Sequence, residues 1–172
     1  MQFKLEQAVE ILAQTPATLK AMLGDLSEDW TGGGSENNWS PYDVIGHLIH
    51  GEKTDWIPRA RIIIAQGENL TFTPFDRFAQ FENSRGKTLR DLLEEFEALR
   101  AENLMRLDAL DVTPEKLKLK GMHPELGEVD LAQLFSAWVV HDLNHVRQIV
   151  KFMAERYSED VGPWKEYLLI LE

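Results

Sequence analysis

Four long stretches of this chain carry apolar residues at helical spacing, and no run of β-branched residues reads as a strand. The first stretch covers about residues 2–23, with Phe3, Val9, Leu12 and Leu19 on its apolar side. Pro16 sits inside it and predicts a kink or a restart. A loop over 24–38 has Gly32-Gly33-Gly34 at its centre, and without a following Lys or a strand–helix context it reads as a turn, not a phosphate cradle. Ser40 as N-cap and Pro41 as first helical residue open the second helix, which runs to about Gln66 with a bend at Pro58. Residues 68–87 are rich in Phe, Asn, Thr and Pro and show no period. A crossover of ~20 residues in a compact domain is usually functional or a covering segment. The third helix follows Thr88 and runs to about Leu110, striped by Leu92, Leu93, Phe96, Leu99 and Leu107. A turn or short hairpin over 123–128 leads to the fourth helix, capped by Asp130 and running to about Tyr157. A short apolar segment over 163–171 is expected to dock on the bundle. The pattern predicts an all-α four-helix bundle, one domain over residues 1–172, with a long crossover and a short C-terminal segment.

A domain of 172 residues buries roughly two-thirds of its unfolded surface and needs no disulfide. The chain has no cysteine. Thiolate zinc sites, iron–sulfur clusters and a protein-borne thiol nucleophile are thereby excluded, and any metal must sit on His, Asp or Glu. A formal net charge of −11 repels polyanions, which argues against nucleic acid and anionic membranes as partners. The opening residues have charges threaded through them and lack the apolar core of a signal peptide, and no apolar run approaches membrane-spanning length. A cytoplasmic location is the expectation.

The chemistry lies in the histidines. His141 and His145 are spaced i, i+4 on the fourth helix, one turn apart on one face, beside the stripe of Leu131, Phe135, Trp138 and Ile149. Gln148 shares their row. On the second helix His47 flanks the apolar stripe, with Gly51 one turn on leaving space beside it, while His50 points farther toward the polar side. If the second and fourth helices are neighbours, His47 meets His141 and His145, and three neutral imidazoles suit zinc, nickel, iron or copper with positions left open. Glu52 and Asp142 fall on apolar faces, where a carboxylate is costly unless paired. Either one of them orients a metal-binding imidazole, or both reach water.

The segment Asn38-Trp39-Ser40-Pro41 through His47-Leu48 to Glu52, together with His123-Pro124-Glu125-Leu126-Gly127 and the run His141-Asp142-Leu143-Asn144-His145, resembles the two signatures of the DinB-like superfamily, in wording close to its YfiT-like branch. The resemblance covers most of the chain in order and spacing. It implies an up-down-down-up bundle, often dimeric, so a homodimer is expected. It implies metal ligands at His47, His141 and His145 and an ion that is zinc or nickel. It also implies a range of activities, from thiol S-transfer with a low-molecular-weight thiol to metal-dependent hydrolysis. His123 matches the family's turn and is expected at the mouth of the site. His123 and Gln148 are the candidates for contact with a small-molecule substrate.

An ion on three neutral ligands keeps its full charge and lowers the pKa of a bound water or thiol. With no cysteine in the chain, a thiolate would come from a cosubstrate. Asp55 and His50 are possible proton acceptors, and Glu52 is taken as the catalytic candidate. Phe72, Phe75, Phe78 and Phe81 of the crossover either wall the pocket or cover the bundle end. The alternative to an enzyme is a stress-related helical binding protein whose metal is structural.

Overall fold

The computed structural model describes residues 3–172. The expected helix start at Gln2 lies outside them, and helix α1 runs Leu5–Leu23. A short turn of helix, α2 (Glu28–Thr31), follows in the glycine-bearing loop. The second helical stretch is divided into α3 (Pro41–Thr54) and α4 (Trp56–Ala65). Within the crossover lies α5 (Ala79–Asn83), followed by α6 (Leu89–Asp108) and, after a hairpin, α7 (Leu131–Glu155). Ser40, Thr88 and Asp130 each form a reciprocal capping box with the residue three positions on.

Strands β1 (Lys120–His123) and β2 (Gly127–Asp130) pair antiparallel, with His123 opposite Gly127. The crossover adds to this hairpin, because Phe72 N–H donates to the Met122 carbonyl at 2.9 Å and Met122 N–H to that of Leu70 at 2.9 Å. Gly121 is required there: a Cβ would stand 2.8 Å from both Ile63 and the Phe72 ring. No helix among the described residues is long and apolar enough to cross a membrane.

Helix directions follow from side-chain pairs. Leu12 and Lys20 of α1 meet Arg100 and Glu97 of α6, so these helices run antiparallel. Tyr42 and Glu52 of α3 meet Lys87, just before α6, and Arg100, so α3 and α6 run parallel. His47 meets His145, and Trp56 meets Trp138, so α3–α4 and α7 run antiparallel. The order is up-down-down-up, with α1 and α3–α4 on opposite sides of the bundle.

The break between α3 and α4 falls at Asp55 rather than at Pro58 itself. Proline lacks an N–H, and its ring clashes with the carbonyl four residues back, here that of Thr54. Pro16 acts differently. Helix α1 passes through it without interruption, and the carbonyl it leaves unpaired, that of Leu12, accepts a hydrogen bond from Arg100 Nη1 at 2.7 Å. The C-terminal residues 162–171 form two short 3-10 turns, the second against α7, but Trp164, Tyr167 and Leu169 stay exposed. The docking expected of them is therefore partial, because the four helices close their core without them.

Arg100, 1% exposed, sits where all four long helices meet. Its Nε and Nη2 donate to Glu52 Oε1 at 3.1 and 2.7 Å, and Nη1 and Nη2 reach the two Asp142 oxygens at 2.7 and 3.1 Å. With the bond to Leu12, all five guanidinium donors are used. Asn103 Nδ2 and Trp138 Nε1 also donate to the Glu52 carboxylate, at 2.9 and 3.1 Å. Burial alone would weaken the guanidinium charge, but Asp142 and Glu52 more than offset it and hold its pKa above the ordinary value. Arg100→Met is expected to destabilise the protein by about 3–5 kcal/mol in urea denaturation, because it strands two buried carboxylates. Adding Glu52→Gln and Asp142→Asn to that variant should recover part of the loss, and a variant that recovers nothing would contradict a cost set by uncompensated charge.

Candidate metal centre

Helix α3 turns His47 inward and α7 turns His141 and His145 toward it. His141 Nε2 lies 3.1 Å from His47 Nε2 and 3.1 Å from His145 Nε2. The three ligand atoms all fall within 4.8 Å of one another. Nitrogens about 2.0–2.1 Å from a tetrahedral zinc ion stand roughly 3.3 Å apart, so the spacing matches such a site.

The proton count also fits a cation. His145 Nδ1 pairs with Gln148 Oε1 at 2.8 Å; a carbonyl oxygen only accepts, so Nδ1 carries the proton and Nε2 is a lone pair. His141 Nε2 can donate to one neighbour at most, so without an ion at least one of its two 3.1 Å contacts is not a normal hydrogen bond. Burial, followed by the neighbouring imidazoles, lowers the pKa of His47 to about 3 and of His141 to about 2, and burial lowers that of His145 as well. All three are therefore neutral, ligand-ready rings at neutral pH. The Nδ1 atoms of His47 and His141 are buried without a hydrogen-bond partner.

The aromatic walls explain the burial. Trp39 and Phe75 pack on the His47 ring at 5.0 and 5.3 Å between centroids, and the Trp56 ring meets His141 at 5.1 Å. Gly51 lines the space beside His47. The triad opens on a cavity of about 510 Å³ whose other walls include Asp55, Arg59, Arg77, His123 and Gln148. Asp55 and Arg59 form an ion pair at 2.7 Å. Burial pushes the Asp55 carboxyl up to about 6, against the opposing pull of Arg59. His123 Nδ1 accepts from the backbone N–H groups of Glu125 and Leu126 at 3.2 and 3.1 Å, leaving its Nε2 as the donor.

Each expected site residue now has a place. His123 and Gln148 line the cavity with the three histidines. Glu52 does not: it is 2% exposed and bound to Arg100, Asn103 and Trp138, so the catalytic role expected of it is corrected to a structural one. Neither Glu52 nor Asp142 reaches water or hydrogen-bonds an imidazole, because Arg100 engages both. His50 is outside the triad, half-buried, and its ring packs on Phe75, which also packs on His47. Of the crossover aromatics, Phe75 walls the cavity, Phe72 belongs to the core, and Phe78 and Phe81 are exposed. Sequence reasoning missed Arg59, Arg77 and Trp39 as cavity residues. Asp55 and Arg59 at i, i+4 were the available signal for the first of them.

Residues 6–149 match the family model of the DinB superfamily, and the chain belongs to that superfamily. Among solved structures it is similar to YfiT from Bacillus subtilis, described as a probable metal-dependent hydrolase with an unusual four-helix bundle topology. The TM-score is 0.73 at 19% identity, over 91% of this chain and 87% of that one, which is a likeness of fold. No curated protein matches the chain.

Ligand changes should separate His47 from His50. Removing a partner that merely orients a ligand costs about 10–100-fold in metal affinity, so His47→Ala should cost at least about 100-fold. His50→Ala should leave zinc affinity, measured by competition with a chromophoric chelator, within about 3-fold of the parent, and the reverse order would place the ligand on the wrong turn of α3. The metal-free protein should also be acid-sensitive. Its histidines are neutral when folded and bind protons near pH 6.5 when unfolded, so the unfolded state takes up more protons as pH falls. Stability should be full above pH 6.5 and decline as pH drops from there toward 3, as read from thermal midpoints; a flat profile over that window would contradict the lowered values.

Proposed function

We propose that this chain is a metal-dependent enzyme that uses a divalent ion on His47, His141 and His145 to activate a bound water or a low-molecular-weight thiol, for hydrolysis or thiol S-transfer. The observation that carries the reading is the convergence of three neutral imidazole Nε2 atoms on the wall of an open cavity. A site that served stability alone would be closed by a fourth protein ligand. The hydrolase activity ascribed to YfiT is compatible with this reading. Zinc or nickel suits a site of three nitrogens without thiolate.

A bound divalent ion supplies Lewis acidity and makes a nucleophile available at neutral pH. The remaining work belongs to the chain. Asp55, raised to about 6, is poised to accept a proton near neutrality, and Arg59 holds its carboxylate in place at 2.7 Å. His123 presents its Nε2–H toward the cavity as a donor for a polar group on the substrate. Gln148 keeps the His145 ring in one orientation. Trp39 and Phe75 exclude water from the His47 side.

Protein purified without a histidine tag should contain about one transition metal per chain by elemental analysis, and the double variant His141→Ala, His145→Ala should contain almost none while keeping its helical circular dichroism. In the loaded protein, activity toward p-nitrophenyl esters, or toward cysteine with 1-chloro-2,4-dinitrobenzene, should disappear on chelation. Asp55→Asn should reduce it by about 10²–10⁴-fold with metal content unchanged. Metal-loaded protein inert in both assays, but stabilised by its ion, would instead support the non-catalytic alternative.

A further inference from the structure

The cavity wall carries one guanidinium without a counter-ion. Arg77, in the crossover, is exposed, and its Cζ lies 5.9 Å from the Trp39 ring centre and 5.1 Å from that of Phe78. Two aromatic faces hold it in place. Among the described residues it forms no ion pair, whereas Arg59, also on the cavity wall, is paired with Asp55 at 2.7 Å. Trp39 also packs on His47, so one indole separates the free guanidinium from the metal-binding ring.

The charges of the cavity point the same way. Glu36 and Asp55 balance Arg59 and Arg77, and imidazoles bring no charge of their own when they hold a metal ion. A divalent ion would leave two positive charges in excess. A ligand with one anionic group at the ion and a second at Arg77 restores neutrality. The chain as a whole carries −11, so long-range steering works against anions. That field is screened beyond about 8 Å at physiological ionic strength, and recognition of an anion must come from a local, directional donor. A planar guanidinium with unengaged N–H groups is such a donor for a carboxylate.

We propose that Arg77 is the anion-binding subsite of this cavity, and that it holds a carboxylate of a small substrate whose other end reaches the three-histidine face. The inference rests on the metal-dependent reading above and names the charged group that its substrate carries. A cavity of about 510 Å³ has room for such a ligand to span both ends.

The test loads the protein with cobalt(II) and titrates it with 3-mercaptopropionate or 1-propanethiol, thiols of similar length that differ in the terminal carboxylate. Thiolate binding is read from the sulfur-to-cobalt charge-transfer band. The carboxylate thiol should bind about 10-fold or more tightly than the alkyl thiol, as a charge-assisted bidentate contact would give. In Arg77→Met, which keeps an apolar stem against Trp39, that advantage should fall below about 3-fold with 1-propanethiol binding unchanged. Equal binding of the two thiols by the parent protein, or an undiminished advantage in Arg77→Met, overturns the subsite. Absence of the band with both thiols defeats the thiol chemistry instead. Succinate then decides the subsite alone, through tryptophan fluorescence of the metal-free protein. A saturable response that Arg77→Met loses supports an anion site at Arg77, and no response in the parent protein overturns it.

Discussion

The bundle depends on one buried guanidinium. Arg100 belongs to α6, but its five donors reach the Leu12 carbonyl on α1, Glu52 on α3 and Asp142 on α7. An arginine this deep is costly to desolvate, and only complete pairing makes it tolerable. Apolar stripes alone would let the helices slide along one another. Directional bonds from one planar group to three neighbours define how far along each helix the contact must fall. Pro16 takes part, since it leaves the Leu12 carbonyl unpaired within α1 and so provides an acceptor in the core.

The same registration positions the metal centre. Glu52 lies five residues after His47, and Asp142 is adjacent to His141. When Arg100 draws those two carboxylates together, it also sets the height at which α3 and α7 present their imidazoles. Trp138 extends the connection: its Nε1 donates to Glu52, its ring stacks on Trp56 at 5.6 Å, and Trp56 meets the His141 ring. The polar network and the triad are thus neighbouring layers of one bundle, the first closed and fully paired, the second open to a cavity.

That separation accounts for the chemistry of the pocket. Carboxylates near the triad are either tied to Arg100 or, like Asp55 on the cavity wall, paired with Arg59. Asp142 pulls toward protonation only at His145, where burial outweighs it, and burial keeps the other two imidazoles neutral as well. The break at Asp55 contributes directly. Pro58 interrupts the helix one turn earlier, and the residue at the interruption becomes a wall of the cavity.

Much of this was legible in the linear chain. Helical stripes, the caps at Ser40, Thr88 and Asp130, and the placing of His141 and His145 one turn apart are local or periodic properties, readable because the helix repeat puts i, i+3 and i+4 on one face, whereas the meeting of His47 with that pair was conditional on two helices being neighbours. The extra weight of His47 over His50 could be read in the same way, from which side of α3 is apolar. What the sequence alone left open was the partner of every buried charge. Glu52 looked catalytic because an unpaired carboxylate on an apolar face suggests function. Its partner, Arg100, lies 48 residues away in the chain, on the stripe of another helix. Only the packing of α6 between α1 and α3 shows that the charge is spent on structure. The cavity has the same origin. Asp55, Arg59, Arg77 and His123 come from a helix break, a crossover and a hairpin, and nothing in their spacing along the chain dictates that they face one another. Periodicity determines which side of a helix is buried, whereas tertiary structure decides which buried groups meet.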